Sequence, residues 1–456
     1  DAFLTPLRSD NLIVFVQQKS PQYTQHPLSM QRVFLFLSSV VEMNAMVVQM
    51  GRQNRVSTSP PSTCSMGATT TTTSLGTMTV PKIAVGTISW TKNDKEELKA
   101  VVQHSIDSGV GLFDTAERYG ASGAEVALGL GWGACETELG SYVREALEHR
   151  QQYKHPRNAD PLPPVVATKF TPSPWRTTAE SVVEACEKSR ERLGVDSIDL
   201  YQIHMPDIVH PLAKLGLKAE FKDEIYWEGL AQCWHKGLVK NCGVSNYGPS
   251  LLKRCHAFLA ARGVPLASNQ INYSLLYRNG GANGGVGAGK GLEGAQAAVD
   301  TGTLLGVRTL AYFPLAMGLL TGKYHDVLER DQGGQQQQQQ QHRPAITPAS
   351  HNRRSALEEK ELRSYVEATN PLLRVMAAIG EQHGAGPTQV ALNWVVSKGA
   401  VPVVGCRTLA HVEGAAKCLD WSLTRDEVEL LEQAAVSRHW NLELYFYYLE
   451  LKLKLE

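Results

Sequence analysis

From residue 80 onward the chain repeats one unit. A short run of Val, Ile and Leu is followed by a longer amphipathic run, and the pair recurs eight times. The strand-like runs are KIAVGT (82–87), GLFD (111–114), PVVATKF (164–170), SIDLYQIH (197–204), KNCGVSN (240–246), ASNQINY (267–273), VRTLAYFPL (307–315) and VPVVG (401–405). The helix-like runs between and after them include 95–109, 136–150, 178–194, 224–239, 249–263, 294–306, 371–384, 388–399 and 424–436. Strands that are apolar on both faces, each followed by a helix, belong in a parallel sheet covered by helices. This is an α/β chain. Eight repeats over about 350 residues favour a closed (β/α)8 barrel, a TIM barrel, over an open doubly wound sheet.

The flanks have a different composition. Between Asp10 and Asp94 the only acidic residue is Glu42, while Arg, Ser and Thr are frequent, and from Ala68 the chain reads ATTTTT. Residues 1–79 are therefore expected to be a disordered leader. An acid-poor, hydroxyl-rich composition resembles an organelle transit peptide, and a leader with no address is the alternative. Two low-complexity inserts, near 279–291 (Gly-rich) and 331–360 (Gln-rich, then polar), have too little apolar surface to order themselves. Residues 437–456 are expected to lie outside the barrel, which leaves 80–436 as its extent. The segment GGVGAGKG (284–291) fits most of a phosphate-binding loop, but Gly291 stands where Ser or Thr would hold magnesium. With so many glycines a chance match is expected, and the segment is read as a flexible inserted loop.

Charge and cysteines narrow the function. Lys plus Arg and Asp plus Glu are both 45, so no basic surface calls for nucleic acid. The longest apolar run, VFLFLSSVV (33–41), is well short of the roughly 18 residues that suggest a membrane span. The eight cysteines contain no CxxC pair and suit free thiols rather than a disulfide framework or a metal site.

In a parallel barrel the chemistry lies where strands end. Asp114 ends the second strand with Tyr119 in its loop, Lys169 ends the third, and His204 ends the fourth. A free tyrosine titrates near 10, too high for an efficient proton donor at neutral pH. A neighbouring ammonium favours the phenolate and should lower that value. A buried lysine in turn needs a counter-ion. The expected chain of influence runs from Asp114 to Lys169 to Tyr119, with His204 orienting a substrate oxygen. Such a site donates a proton to a carbonyl and needs another source of reducing power or charge.

DTAERYG, ATKF, QIHMPD, GVSNYG and AYFPLAMGLLTGKY together resemble the aldo-keto reductase family, especially its plant and algal plastid-type members, over about residues 80–436. The resemblance implies a (β/α)8 barrel that binds NADP(H) and reduces an aldehyde or ketone by hydride transfer. It implies that Asp114, Tyr119, Lys169 and His204 are catalytic, with Tyr119 as general acid. Ser245, Asn246 and Gln270 match the residues holding the nicotinamide carboxamide, and Tyr312 the aromatic stacked on the ring. Leu315 and the segment 318–324 match the loop along the cofactor, and Gly405, Arg407 and His411 the adenosine phosphate site. Trp90 and Trp175, with Trp132, are expected to line the substrate pocket. The implied partners are a small carbonyl compound and the cofactor, with no metal, nucleic acid or membrane; a monomer is expected, in a plastid or otherwise in the cytoplasm. Three departures stand out: an insertion after Tyr119, the Gln-rich insert, and Gly414 with Ala415 where the family often carries Glu and Asn near the adenine. The alternative is an NADP(H)-binding regulatory or scaffold subunit with vestigial turnover.

Overall fold

The computed structural model describes residues 71–90, 94–120, 132–152, 162–173, 175–207, 223–278, 294–324 and 356–435. The Gly-rich insert, residues 331–355 of the Gln-rich insert, the tail after 435 and residues 1–70 of the expected leader lie outside them, whereas residues 356–360, expected in the polar part of that insert, open the helix Ala356–Gln382. Eight strands close a barrel: β3 (Ala84–Gly86), β4 (Leu112–Asp114), β5 (Val165–Phe170), β6 (Leu200–Ile203), β7 (Cys242–Ser245), β8 (Leu266–Asn272), β9 (Arg308–Tyr312) and β10 (Val401–Gly405). Every barrel pairing is parallel, and β10 pairs with both β3 and β9. Seven of the eight strands fall within the apolar runs expected from the sequence, and β8 begins one residue before its run, at Leu266.

The helices are α1 (Lys95–Asp107), α2 (Ala134–Gln152), α3 (Ala179–Leu193), α4 (Asp223–His235), α5 (Pro249–Ala260), α6 (Ala295–Leu305), α7 (Ala356–Gln382), α8 (Pro387–Ser397), α9 (Leu409–Ala416) and α10 (Arg425–Ala435). Local chemistry sets several of their ends. Thr178 caps α3 by accepting the Ser181 N–H, and Gly194 ends that helix in the left-handed region. Pro249 and Pro387 open α5 and α8, where a missing N–H costs nothing. Pro371 instead lies inside α7, so that helix begins earlier than the sequence suggests.

The alternation of side chains along each strand explains how the core and the site share one barrel. Leu112, Ala167 and Leu200 point inward and join Leu75, Val80, Leu310 and Val401 in an apolar floor. Two residues further along the same strands, Asp114, Lys169 and Gln202 also point inward, and all three are buried. A strand that begins by filling the floor therefore ends by presenting a polar group. Phe113, Val166, Phe170, Tyr201 and Ile203 take the opposite face and pack in the layer between barrel and helices.

One boundary is corrected. Residues 72–81, which the sequence reading places mostly in the disordered leader, form an antiparallel hairpin of β1 (Thr72–Leu75) and β2 (Met78–Pro81). Thr is a good strand former, and Gly76 supplies the positive φ of 55° in the turn. Leu75 and Val80 are fully buried and supply the hairpin's share of the floor. The Thr77 N–H donates to Asn241 Oδ1 at 2.9 Å, which ties the hairpin to the start of β7.

Candidate active site

The residues expected to carry chemistry converge at the carboxyl ends of the strands. Asp114 is the last residue of β4, and Lys169 is the next to last of β5. Lys169 Nζ donates to Asp114 Oδ2 at 2.6 Å and to the Thr115 carbonyl at 2.8 Å. It reaches Tyr119 Oη at 3.5 Å and lies 5.0 Å from the centre of that ring. The other Asp114 oxygen, Oδ1, accepts from Gln270 Nε2 at 2.7 Å. Gln270, Asp114, Lys169 and Tyr119 thus form one continuous polar chain across strands β8, β4 and β5. Gln270 comes from 156 residues downstream of Asp114, and its grip on that carboxylate is invisible in the motif DTAERYG.

The electrostatics differ in balance from the sequence expectation. Burial is the largest influence on the Tyr119 phenol and pushes its pKa up. The Lys169 charge pulls it back, and the net direction is still upward. Burial alone would lower the Lys169 ammonium, but Asp114 and then Tyr119 more than offset it, so it is held above the usual lysine range. Lys169 is therefore a fixed cation at neutral pH, and Tyr119 is a protonated phenol beside it.

His204 follows β6 directly. Its backbone N–H donates to the Phe170 carbonyl at 2.8 Å, and its ring meets Tyr119 edge-on with centroids 5.8 Å apart. Imidazole and phenol therefore border the same opening. Asn246 sits at φ 66°, a conformation asparagine tolerates better than most residues. Its amide donates to the His204 carbonyl at 3.0 Å and to Ser245 Oγ at 3.1 Å, and it accepts from Tyr312 Oη at 2.8 Å. Ser245 Oγ donates to the Gln270 carbonyl at 2.8 Å. Ser245, Asn246, Gln270 and Tyr312 thus form one wall beside the polar chain. Just after β9, Phe313, Ala316 and Met317 also have positive φ. Non-glycine residues in that region cost roughly 1–2 kcal/mol each, and such clusters mark binding and active sites. Leu315 lies among them and packs against the core layer.

Gly405 ends β10 and is exposed, and Arg407, the N-cap Thr408 and His411 follow it. Arg407 donates its backbone N–H to His411 Nδ1 at 3.3 Å. Its guanidinium pairs with Asp94, the residue before α1, at 2.7 Å. Arg407 Nε is buried and has no hydrogen-bond partner among the described residues. Burial, then Lys323 and then Arg407 hold the His411 imidazole below its usual pKa. The structure thus gathers three basic side chains at the start of α9, of which the sequence reading named two individually; Lys323 was covered only as part of the segment 318–324.

The tryptophans separate. Trp90 is buried at 4 % exposure in the layer between barrel and helices. Its indole N–H donates to the Cys406 carbonyl at 2.9 Å, and its ring lies 6.5 Å from Tyr142 on α2. This is the environment of a packing residue, in contrast to the substrate wall expected from the sequence. Trp175 is 58 % exposed, with its ring 6.4 Å from that of Trp132. The sequence reading missed Glu117, inside DTAERYG itself. It is buried, accepts the Thr171 N–H at 2.5 Å, and pairs with Arg176 at 2.5 and 3.0 Å through both carboxylate oxygens. Arg176 in turn lies 4.9 Å from the Trp132 ring and 4.8 Å from the Phe170 ring. This pair fastens the Tyr119 loop to the end of β5. Its only sequence signal was an acidic residue in an otherwise small, buried stretch.

Comparison with known proteins agrees with the barrel. The aldo/keto reductase family model matches residues 76–436. A chloroplastic pyridoxal reductase of Arabidopsis thaliana is 32% identical over 370 residues, 79% of this chain and 85% of that protein. An L-glyceraldehyde 3-phosphate reductase of Escherichia coli O157:H7 is 24% identical, covering 77% of this chain and 87% of the relative. Among solved structures, a silkworm (Bombyx mori) aldo-keto reductase superposes with a TM-score of 0.53 at 22% identity, covering 80% of this chain and 87% of that one. A second silkworm aldo-keto reductase, solved in complex with NADP, superposes at 0.52 and 19% identity, covering 82% and 96%. The chain is a (β/α)8-barrel oxidoreductase. It belongs to the aldo/keto reductase family.

Proposed function

We propose that this protein is an NADPH-dependent reductase of small aldehydes or ketones, with Tyr119 as the general acid. The observation that carries the reading is the chain Gln270–Asp114–Lys169–Tyr119, which ends on a phenol at the mouth of the barrel. A neutral phenol beside a fixed ammonium can release its proton to a developing alkoxide, because the phenolate left behind is stabilised by that ammonium. His204, on the other side of the same opening, is placed to donate a hydrogen bond to the carbonyl oxygen and orient it.

The residues around this opening suit a dinucleotide. Tyr312 offers an aromatic ring to a nicotinamide, Ser245, Asn246 and Gln270 offer amide and hydroxyl groups to its carboxamide, and Lys323, Arg407 and His411 offer positive charge to phosphate. The buried Arg407 Nε with a donor to spare supports the same fit. The cofactor supplies the hydride; the protein's part is position and the proton. The kinship with a pyridoxal reductase makes pyridoxal the first aldehyde to test.

Tyr119→Phe is the direct test. It should lower pyridoxal reduction by roughly 10²–10⁴-fold, as removal of a general acid does, while the NADPH dissociation constant stays within about threefold because the phenol acts on substrate. Wild-type turnover in the Phe variant would remove Tyr119 from the role of proton donor.

A further inference from the structure

The cationic site at the start of α9 contains a carboxylate. Asp94 precedes α1 and Arg407 follows β10, 313 residues apart, yet their side chains meet at 2.7 Å with 26% and 35% exposure. At the N-cap position of α1, Asp94 makes no side-chain capping bond to that helix, so its carboxylate is turned toward the neighbouring loop rather than its own helix. The pair is half-buried beside the two other basic groups, Lys323 and His411, which bear on one another electrically. A site evolved only to hold a dianionic phosphate gains nothing from a fixed negative charge against its arginine.

From this geometry we propose that Asp94 and Arg407 form a two-way reader of the adenosine ribose, so that the protein takes NADH as well as NADPH. The inference rests on the dinucleotide reading above and extends it to the choice between the two nucleotides. A ribose 2′-hydroxyl is a donor and fits a carboxylate, the arrangement by which acidic residues hold NAD in other folds. A 2′-phosphate is an acceptor and fits a guanidinium fork. With the two groups paired, each nucleotide finds one partner and must part it from the other. For NADPH the phosphate displaces Asp94 from Arg407 and then lies near a like charge. For NADH the hydroxyl donates to Asp94 while Arg407 remains its counter-ion. Arg407 Nε is buried without a hydrogen-bond partner among the described residues, so a shift of this side chain toward a phosphate would give that nitrogen an acceptor it now lacks. The pair thus lowers the preference for NADPH that Lys323, Arg407 and His411 alone would give.

The test is equilibrium titration of NADPH and NADH, followed by nicotinamide and tryptophan fluorescence, on wild type, Asp94→Asn and Arg407→Met. Asparagine keeps the shape and the N-cap preference of Asp94, and an unchanged melting temperature checks the fold. Wild type should bind both nucleotides. Asp94→Asn should tighten NADPH and weaken NADH, raising the ratio of their dissociation constants by about tenfold, the scale of one charge-assisted hydrogen bond. Arg407→Met should weaken NADPH by a similar factor and NADH less. Wild-type protein that binds NADPH, together with an Asp94→Asn variant whose ratio moves less than twofold, would overturn this inference alone. Wild-type protein that binds neither nucleotide would overturn the proposed function along with it.

Discussion

The strongest electrostatic commitment in the barrel is the Asp114–Lys169 pair, and removing either partner should cost stability as well as activity. Lys169 is fully buried, and the Asp114 side chain is 5% exposed. In Lys169→Met the carboxylate keeps Gln270 but loses the only cation bonded to it among the described residues. In Asp114→Asn the ammonium keeps the Thr115 carbonyl and Tyr119, and burial, already the largest influence on it, is opposed by Tyr119 alone. Breaking a buried pair from one side typically costs about 3–5 kcal/mol, whereas replacing both partners with uncharged groups is often near neutral. Each single variant should therefore melt several degrees lower, and the Asp114→Asn/Lys169→Met double variant should recover much of the loss. The coupling should amount to several kcal/mol by chemical denaturation. All three variants should reduce a carbonyl substrate poorly, because none keeps a stable cation beside Tyr119. Asp114→Asn should regain activity as the pH is lowered, since acid restores the Lys169 charge; Lys169→Met should not. In wild type the lysine pKa is raised on folding, so the stability it contributes is complete below the ordinary lysine value and lost only as pH climbs through the raised one. Single-variant losses that add within about 0.5 kcal/mol in the double variant would show that the two side chains act independently, and the account of the site as one charge chain would fail.

Two further perturbations test the periphery. His411 has a depressed pKa, so a bound phosphate should raise it and NADPH binding should take up a proton between the two values; affinity should strengthen as pH falls toward 6, and calorimetry in buffers of different ionisation enthalpy reads that uptake, which His411→Ala should remove. Gly76→Ala puts a Cβ against Asn241 Oδ1 at a turn with φ 55°; backbone strain of 1–2 kcal/mol plus a disturbed buried acceptor predicts a loss of about 2–5 kcal/mol, which urea denaturation would register, and an unchanged midpoint would mean the hairpin contributes little to the floor.

The amino-acid sequence alone determined the barrel and the rim on which its polar residues gather. Eight apolar runs carry their own periodicity, and the alternation of side chains along a strand is a local property. That Asp114, Lys169 and His204 end up on one rim follows from strand ends being the same ends in a parallel barrel. The local signals also bounded the helix-like run 178–194, whose ends the structure shows capped at Thr178 and Gly194. What the sequence could not determine were relations between residues far apart in the chain. Gln270 holds Asp114 from 156 residues away, and Asp94 holds Arg407 from 313. Trp90 is identical as a letter whether it faces a substrate or, as here, the packing layer behind β10. The Thr-rich stretch 72–81 looks unstructured because its fully buried residues, Leu75 and Val80, acquire a surface to bury against only once the barrel has closed above them. The direction of the Tyr119 pKa was decided in the same way. Its attraction to Lys169 could be read from the motif, but the burial that outweighs that attraction exists only in the folded protein. Local periodicity needs only neighbours in sequence, whereas desolvation and long-range pairing depend on which surfaces the closed barrel brings together.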